Sequence, residues 1–474
     1  MSFNRFIVGF LVLMLSVVAY AGDPMVIDTP GEYVLTDNVV LANGVEGGGI
    51  NISVSDVIID CDGYSITGWN ADWPTDTVGI VVYNMSANIT NITVENCNIM
   101  GFVHGVAMAS VSDVLIQSNN FTDDVYPIGI NYWIPYTQTW DEPMYFGDNV
   151  TISSNRIDNG TGGCYINNVS AVFTQNTVTD SGGLSWDNST DVLNNSFYNI
   201  SGQAAFMGTP QLPTDGDINY NNITYAQTGI YISTGNVVGN RILYMQKGGI
   251  QASAGNILNN TVWYTDLEAA GYNIAIFAQG ANINVSGNNI KNGSLGIGTN
   301  HSIPTFNEFS SNTIENFNYG IYIGVSGGGG GPSNNTIFNN TITNNAYGVW
   351  MYQYGLDNNF TDNTVTSNTV YDFYCMDTNA QIDGGNTCET VHENCTWFTT
   401  CLAPVSDPVY GGPAGSLPTP TPYQVPIITP TPAGASDEPE PSFTKPDEYF
   451  IAFILLGGAM GVFFIYEGLQ NGKR

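Results

Sequence analysis

The segments Asn221-Asn222-Ile223, Asn240-Arg241-Ile242 and Asn260-Thr261-Val262 repeat one triplet, in which Asn precedes a mostly polar residue and then an aliphatic or aromatic one. The triplet recurs along the chain at Asn155-Arg156-Ile157, Asn176-Thr177-Val178, Asn195-Ser196-Phe197, Asn288-Asn289-Ile290, Asn312-Thr313-Ile314, Asn340-Thr341-Ile342 and Asn363-Thr364-Val365. Successive copies are roughly 19–28 residues apart, the length of one solenoid coil and too short for a helix pair or a propeller blade. The repeat therefore predicts a solenoid of short coils.

A second mark in each repeat is Gly followed by an apolar residue, as in Gly229-Ile230, Gly249-Ile250 and Gly320-Ile321. The runs between these marks alternate apolar and polar residues, which indicates strands, and Asn and Gly tolerate the conformations of sharp corners. We therefore expect an all-β chain: a single parallel β-helix with three short strands per coil and roughly a dozen coils. The Ile and Val side chains should fill a central column, and the repeated Asn side chains should stack and hydrogen-bond from coil to coil.

Two other β architectures fit the sequence less well. A left-handed β-helix has a strict hexapeptide repeat, and the chain shows none. A β-sandwich needs turn signals every 8–12 residues and lacks long-range self-similarity. The right-handed form is favoured.

The composition is strongly acidic. Asp and Glu number 41 against 8 Lys and Arg, which gives a formal net charge of −33, although only 10% of the residues are charged. Nucleic-acid binding needs a basic surface, so we expect no nucleic-acid partner. The acidity suits the solubility of an extracellular surface.

The two ends predict export and anchoring. Residues 1–21 read as a secretory signal, with Arg5 before an apolar core and Ala19-Tyr20-Ala21 as the cleavage site. Residues 449–466 are apolar and long enough to span a bilayer as a helix, and the basic tail at 467–474 places that end in the cytoplasm. A sorting tail that is removed is the alternative. We predict a single-pass cell-surface protein with an extracellular N-terminal domain.

The residues between the predicted signal and the predicted membrane helix divide into four segments. We assign an N-terminal cap with the first strands to residues 22–56, the β-helix to 57–370, a Cys-rich C-terminal cap to 371–402 and a Pro/Thr-rich extended linker to 403–446.

Exported chains can form disulfides. Cys61 and Cys97 occupy similar places in neighbouring coils, so we expect them to be bonded. Four further cysteines (Cys375, Cys388, Cys395 and Cys401) come after the last clear coil and allow three pairings, of which Cys375–Cys388 with Cys395–Cys401 is the simplest. Cys164 is left over and reads as a small core residue.

Asn-x-Ser/Thr sequons are frequent because the repeat itself generates them. An Asn whose side chain lies in a ladder cannot carry a glycan, whereas one on an exposed corner, such as Asn84 or Asn292, can.

The segment Ile59-Asp60-Cys61-Asp62-Gly63, followed by Asn91-Ile92-Thr93-Val94 and the Asn-x-Ile and Gly-Ile-Tyr repeats, resembles the right-handed parallel β-helix repeat proteins of the pectin-lyase-like superfamily. These include NosD-like, carbohydrate-binding and sugar-hydrolase solenoids. The resemblance covers roughly residues 25–401 and implies the fold; the superfamily hosts many functions. With the signal, linker and terminal helix, the chain looks like an archaeal cell-surface protein.

Enzymatic activity is the weaker expectation. The resemblance implies a Lys or Arg base with Ca²⁺ for a lyase, and no acidic cluster accompanies the solenoid cations. An inverting hydrolase needs two carboxylates about 6.5–9.5 Å apart. The weak catalytic candidates are Asp123, Asp124 and His104. The dispersed His104, His301 and His392 do not suggest a copper site, so we expect no metal or cofactor apart from the option of Ca²⁺.

The longest corner insertion, residues 131–148, is rich in aromatic and acidic residues. Aromatic faces stack on sugar rings, and carboxylates accept sugar hydroxyls or hold Ca²⁺. The candidate ligand-binding residues are Tyr132, Trp133, Tyr136, Trp140, Asp141, Glu142 and Tyr145. In the alternative, these rings pack against the side of the solenoid without a ligand.

The favoured function is a membrane-anchored extracellular β-helix for surface binding, adhesion or envelope structure, with a surface glycan or an envelope protein as partner. The alternatives are a carbohydrate-active hydrolase or lyase, and a NosD-like copper maturation factor.

Overall fold

The computed structural model describes most of the predicted solenoid. The described residues are 24–41, 47–68, 77–84, 87–131, 147–202, 204–208, 216–264, 273–299, 305–324, 332–351, 357–376, 382–396 and 401. The predicted signal, linker, membrane helix and tail, and the aromatic insertion from Tyr132 to Tyr145, lie outside them. Within these residues, no helix is long and apolar enough to cross a membrane.

The chain winds through three faces in turn, and every strand pairs in parallel with the equivalent strand of a neighbouring coil. The first face is a 15-stranded sheet that includes strands of both predicted caps. Its strands are β2 (Gly31–Val34), β5 (Val57–Asp60), β8 (Ile89–Glu95), β11 (Val111–Gln117), β14 (Gly147–Ser153), β17 (Val169–Thr174), β20 (Thr190–Leu193), β23 (Ile218–Asn219), β25 (Asn236–Val238), β27 (Asn256–Leu258), β30 (Asn284–Ser286), β32 (Glu308–Ser310), β34 (Thr336–Phe338), β37 (Asn359–Thr361) and β40 (Ile382–Gly384).

The second face, here called the Asn-x-Ile face, holds the strands that begin within the repeated triplet, together with two strands, at Ser65 and Asn98, where Tyr64 and Cys97 replace the Asn. They are β3 (Val39–Val40), β6 (Ser65–Thr67), β9 (Asn98–Met100), β12 (Asn120–Thr122), β15 (Arg156–Asp158), β18 (Thr177–Thr179), β21 (Ser196–Ile200), β28 (Thr261–Trp263), β35 (Thr341–Thr343), β38 (Thr364–Thr366) and β41 (Thr387–Cys388).

The third face, the Gly-Ile face, comes next along each coil. Its strands are β1 (Met25–Ile27), β4 (Gly47–Ile52), β7 (Thr77–Val82), β10 (His104–Met108), β13 (Tyr126–Ile130), β16 (Cys164–Ile166), β19 (Leu184–Trp186), β22 (Phe206–Gly208), β29 (Ile274–Ala278), β36 (Tyr347–Met351) and β39 (Tyr371–Cys375). Four long strands continue from the second face into the third: β24 (Asn222–Ile232), β26 (Arg241–Ala252), β31 (Asn289–Thr299) and β33 (Thr313–Ile323). They join the two faces into one 26-stranded sheet. The predicted parallel architecture of three strands and roughly a dozen coils is confirmed.

The repeated Asn forms a continuous buried ladder. The Oδ1 of each ladder residue accepts a hydrogen bond from the backbone N–H of its predecessor, as in the pairs Asn155–Asn176 and Asn260–Asn288, at 2.8–2.9 Å. Its Nδ2 donates to the next Oδ1 and to a backbone carbonyl of the preceding coil. The predicted stack is confirmed, and it extends further at both ends, to Asn119 and Asn386.

The ladder exists because each coil turns sharply beside the Asn. A buried backbone N–H at such a corner needs an acceptor, and the amide of the neighbouring coil supplies it.

The core is a column of aliphatic and aromatic side chains enclosed by the three faces. The middle residue of each Asn-x-Ile strand points into it, and Ile157, Ile223, Ile242 and Ile290 are all fully buried. Each such side chain stabilises the fold by about 1.5–3 kcal/mol relative to an exposed one. Cys164 lies in the same core, as predicted.

The Gly-Ile mark has a steric cause. A Cβ at Gly249 would lie 2.4 Å from the Ala275 carbonyl oxygen, and one at Gly320 would lie 2.5 Å from that of Gly348. Because adjacent coils approach this closely, any larger side chain would push them apart.

The disulfides are partly as predicted. Cys61 and Cys97 are bonded, with their Cα atoms 4.7 Å apart. In the C-terminal cap the simplest pairing was wrong: Cys375 bonds Cys395, and Cys388 bonds Cys401. Cys375 and Cys388 lie on strands of different faces, β39 and β41, so each bonds a cysteine of the segment after β41.

Candidate functional site

Two of the three weak catalytic candidates, Asp124 and His104, are buried in the wall of the solenoid, and the third, Asp123, is exposed. Asp124 is 1% exposed, and its Oδ1 accepts a hydrogen bond of 2.8 Å from the Phe102 backbone N–H. Burial raises the pKa of Asp124 well above its usual range, against the lowering effect of that N–H and with a smaller raising effect from Asp123. Among the described residues, its Oδ2 has no hydrogen-bond partner.

Asp123 faces the other way. It is exposed, adopts a left-handed backbone with φ of 58°, and accepts a hydrogen bond from the Asn159 Nδ2. Two carboxylates on opposite sides of the wall cannot flank one glycosidic bond.

His104 is near Asp124 but equally inaccessible. It is 1% exposed and stacks on Tyr126 with ring centroids 5.1 Å apart. Burial lowers its pKa to about 4, so the imidazole is neutral at physiological pH. Asp124 and His104 are therefore both buried side chains with shifted pKa values, and their catalytic role stays a prediction.

No group of three His, Cys, Asp or Glu side chains in the described ranges could hold a metal ion. The aromatic insertion expected to be a ligand and Ca²⁺ site (Tyr132, Trp133, Tyr136, Trp140, Asp141, Glu142 and Tyr145) lies outside those ranges.

A different aromatic surface stands out on the Asn-x-Ile face. Tyr198, Tyr225 and Tyr244 belong to three successive strands, β21, β24 and β26, and their rings contact one another in sequence. Tyr198 and Tyr225 pack edge to face at 5.5 Å, and Tyr225 stacks on Tyr244 at 4.9 Å. Tyr198 and Tyr225 are 45% and 47% exposed, so their rings present faces and edges to solvent.

The aromatic surface continues along the next two strands. Trp263 in β28 is 37% exposed and is paired in register with Leu243 of β26. The Lys291 Nζ lies 5.8 Å from the centre of the Trp263 ring and 3.2 Å from a carboxylate oxygen of Glu315. We call Tyr198, Tyr225, Tyr244, Trp263 and Lys291 the aromatic patch. It crosses five adjacent strands, which is about 19 Å at the usual strand spacing.

Two tyrosines of the patch occupy a backbone conformation that disfavours them. Tyr225 and Tyr244 have φ of 57° and 62°. The same corner carries Asn or Asp in most other coils, for example Asn199, Asn292 and Asn316, which tolerate the left-handed region. A bulky residue there is destabilising by about 1–2 kcal/mol, and such strain is concentrated at functional sites.

The sequence did contain a signal for this patch. The fourth residue after each ladder Asn is usually Asn or Asp, but it is Tyr after Asn221, Asn240 and Asn260. The third of these tyrosines, Tyr264, is fully buried, so the signal by itself does not separate a surface ring from a core ring. A Tyr at this position therefore predicts a surface ring only when the structure shows that its side chain points to solvent.

A second set of rings lies on the Gly-Ile face near the C-terminal cap. Tyr319 stacks on Tyr347 at 5.5 Å, and Trp350 stacks on Tyr374 at 4.0 Å. His392 of the cap lies 4.4 Å from the Tyr374 ring. These rings are half-buried against each other, so their evident role is to pack the cap onto the last coils.

Residues 211–365 match the family model described as a right handed beta helix region. The chain contains a right-handed β-helix. The predicted right-handed form of the parallel β-helix is thereby confirmed. No curated protein matches the chain.

Solved structures of similar topology share little sequence with it. The Dettilon tailspike protein is 14% identical with a TM-score of 0.39, and the alignment covers 61% of this chain and 58% of the tailspike. DFA-IIIase from Arthrobacter chlorophenolicus A6, without its lid, is 15% identical with a TM-score of 0.34, over 62% of this chain and 69% of that one. The alginate lyase AlyF-OU02 in complex with G6 is 11% identical with a TM-score of 0.30, over 79% and 80%. At these values, the similarities say nothing about ligand or activity.

Proposed function

We propose that this β-helix is a surface-anchored protein that binds a glycan through the aromatic patch. The observation that carries the proposal is a stacked pair of tyrosines, the exposed Tyr225 and the half-buried Tyr244, held in a left-handed conformation where Asn would be less strained. Retention of unfavourable residues on a surface corner is best explained by a contact made outside the chain.

The chemistry of the patch suits a sugar chain. Tyr and Trp rings offer rigid apolar faces with polar tips, which stack on the apolar faces of sugar rings while their hydroxyl and indole groups reach sugar hydroxyls. Lys291 and Glu315, beside Trp263, add a hydrogen-bond donor and an acceptor at one end. The extended row across adjacent coils matches a linear ligand better than a compact one.

Placement at the cell surface is supported by the predicted signal at residues 1–21, the linker at 403–446 and the apolar segment at 449–466.

The test is a glycan array followed by calorimetry on the full-length chain in detergent. We expect a glycan to bind, and the double substitution Tyr225→Asn with Tyr244→Asn to weaken binding at least tenfold. The matched control is Phe306→Asn, because Phe306 is also exposed (57%) and left-handed (φ of 49°) but lies at a different corner, before β32. Unchanged affinity in the double variant, or no glycan bound on the array, would rule out the proposal.

A further inference from the structure

One edge of the solenoid carries exposed Asn residues at several corners. The residue two positions before each Asn-x-Ile strand forms a corner, and in four described coils it is an exposed Asn: Asn96, Asn194, Asn259 and Asn339, with φ of 57°, 57°, 55° and 54° respectively. Asn adopts the left-handed backbone conformation more readily than most residues, so the conformation of the corner explains why Asn can stand there. A sequon begins at Asn194, Asn259 and Asn339, whereas Asn96 is followed by Cys97 and Asn98 and begins none.

Each of these three sequons shares its middle residue with the buried ladder. The three are Asn194-Asn195-Ser196, Asn259-Asn260-Thr261 and Asn339-Asn340-Thr341. The middle Asn is 1–2% exposed and hydrogen-bonded in the ladder. The Ser or Thr is the first residue of the strand and is half-buried or exposed, whereas the residue after it is buried in the core.

The three sites lie on one line at equal steps. Strand register aligns Ser196 with Asn222, Arg241 and then Thr261, so two coils separate Asn194 from Asn259. The next steps align Thr261 with Asn289, Thr313 and then Thr341, so two coils also separate Asn259 from Asn339. Neighbouring sites are therefore three coil spacings apart, which is about 14 Å. Each site is thus well separated from the next along the edge.

Several other sequons have less favourable surroundings. Asn222 and Asn284 are half-buried within strands β24 and β30. Asn149 and Asn199 are exposed, but their Nδ2 atoms donate to the carboxylates of Asp113 and Asp180 in the preceding coil.

The two corner sequons predicted from the sequence fit less well than expected. Asn84 and Asn292 are both half-buried, the Asn84 Nδ2 donates to the Ser53 carbonyl, and the Asn292 Oδ1 accepts from Asn316. Among the three aligned sites, Asn339 donates to the Ser311 hydroxyl at 3.0 Å, a neutral surface bond that a modified amide can give up.

We propose that Asn194, Asn259 and Asn339 carry Asn-linked glycans, which form a row along this edge. In the modification, the Asn Nδ2 forms a bond to the anomeric carbon of a lipid-linked oligosaccharide as the bond from that carbon to the lipid phosphate breaks. The amide loses one proton, and the lipid phosphate leaves. The predicted export of the chain brings it to such a donor.

The test uses the full-length chain recovered from membranes of the cells that produce it. Because the chain has only 8 Lys and Arg, a protease of low specificity is needed before glycopeptides are analysed by mass spectrometry. We expect glycans at the three sites, and Asn194→Gln, Asn259→Gln and Asn339→Gln each to reduce the intact mass by one glycan. Ser196→Ala and Thr261→Val should give the same loss while keeping the Asn.

The control is Asn222→Gln, which should leave the mass of the glycans unchanged. Unmodified peptides that contain Asn194 and Asn259, or glycans on Asn222 and Asn284 in their place, would overturn the proposal. The ladder residues are untouched in all of these variants, so an unaltered melting temperature will show that loss of a glycan does not reflect loss of the fold.

Discussion

The Oδ1 of Asn240 accepts two hydrogen bonds from Asn221, one from its backbone N–H at 2.8 Å and one from its Nδ2 at 2.9 Å. The Asn240 Nδ2 in turn donates to Asn260 and to the Ile218 carbonyl. Each ladder amide thus satisfies the corner of one coil while it is oriented by the next. Because each ladder residue must both accept and donate, every coil of the ladder needs an amide at this position and not merely a side chain of similar size.

Asn240→Asp should therefore be strongly destabilising. It keeps the shape of the side chain but removes the Nδ2 donations to Asn260, Ile218 and Val238, and it places a buried carboxylate against carbonyl oxygens. We therefore expect a loss of about 3 kcal/mol or more in the free energy of unfolding. Urea denaturation will measure the loss. The control Asn259→Asp is exposed next to the ladder and should change stability by no more than about 0.5 kcal/mol. Equal effects for the two would contradict a structural role for the ladder.

Tyr225→Asn with Tyr244→Asn should leave the melting temperature unchanged or raise it. The substitutions relieve left-handed strain of about 1–2 kcal/mol per residue, and they remove a ring stack that contributes about 0.5–1.5 kcal/mol. Differential scanning calorimetry gives the comparison. A clear fall in melting temperature would mean that the rings are retained for stability, and the binding role would lose its main support.

Asp124→Asn should stabilise the protein at neutral pH. The raised pKa of Asp124 means that the folded chain holds a proton that the unfolded chain releases, so this group lowers stability as pH rises above the unfolded pKa of about 3.9. Asn keeps the acceptor for Phe102 without a buried charge, as Asn345 does for Phe317 at the equivalent corner.

The measurement for Asp124→Asn is the urea midpoint at several pH values. We expect the gain at pH 7 to shrink as the pH falls to about 4 and below, where the wild-type carboxyl becomes protonated in both states. The same variant should retain any glycan binding, because Asp124 is buried away from the aromatic patch. A gain that stays constant with pH would show that the carboxyl does not hold its proton in the folded chain.

His104→Phe should make stability less sensitive to acid. The folded pKa of about 4 lies below the unfolded value of about 6.5, so the unfolded chain binds more protons between these pH values and stability falls as pH decreases through them. The difference corresponds to about 3 kcal/mol in total, all of it lost below pH 4. Unfolding followed from pH 7 to pH 4 should show this slope in wild type and a flatter one in the variant. Parallel curves would show that His104 does not titrate as its burial implies.

Disulfide mapping should recover Cys61–Cys97, Cys375–Cys395 and Cys388–Cys401. Cys164 should resist alkylation in the folded chain, because it is buried and its pKa is raised to about 12. Replacing both Cys375 and Cys395 by Ser should lower stability by about 3 kcal/mol, since the bond closes a loop of 20 residues. Peptides joined as Cys375–Cys388 would disprove the pairing.

The coil length, the strand faces and the Asn ladder could be predicted from the sequence, because they rest on local periodicity. A triplet such as Asn312-Thr313-Ile314 reports its own geometry: the Asn corner, the outward Thr and the inward Ile. The bond between Cys61 and Cys97 could be predicted for the same reason, since equivalent positions in a stack are neighbours in space.

Only the tertiary structure decided which side chains meet solvent. Asp123 and Asp124 are adjacent in sequence, yet Asp123 is exposed and Asp124 is buried. The backbone turns at Asp123, so the two side chains point in different directions. Tyr225 and Tyr264 occupy matching places in their repeats, yet the first is 47% exposed and the second is fully buried with its hydroxyl on the Ile274 carbonyl. A repeat specifies how coils stack, because stacking depends on residues one coil apart. Exposure of a side chain depends on which way the backbone turns at its corner and on which other residues pack against it. A local sequence pattern does not contain that information.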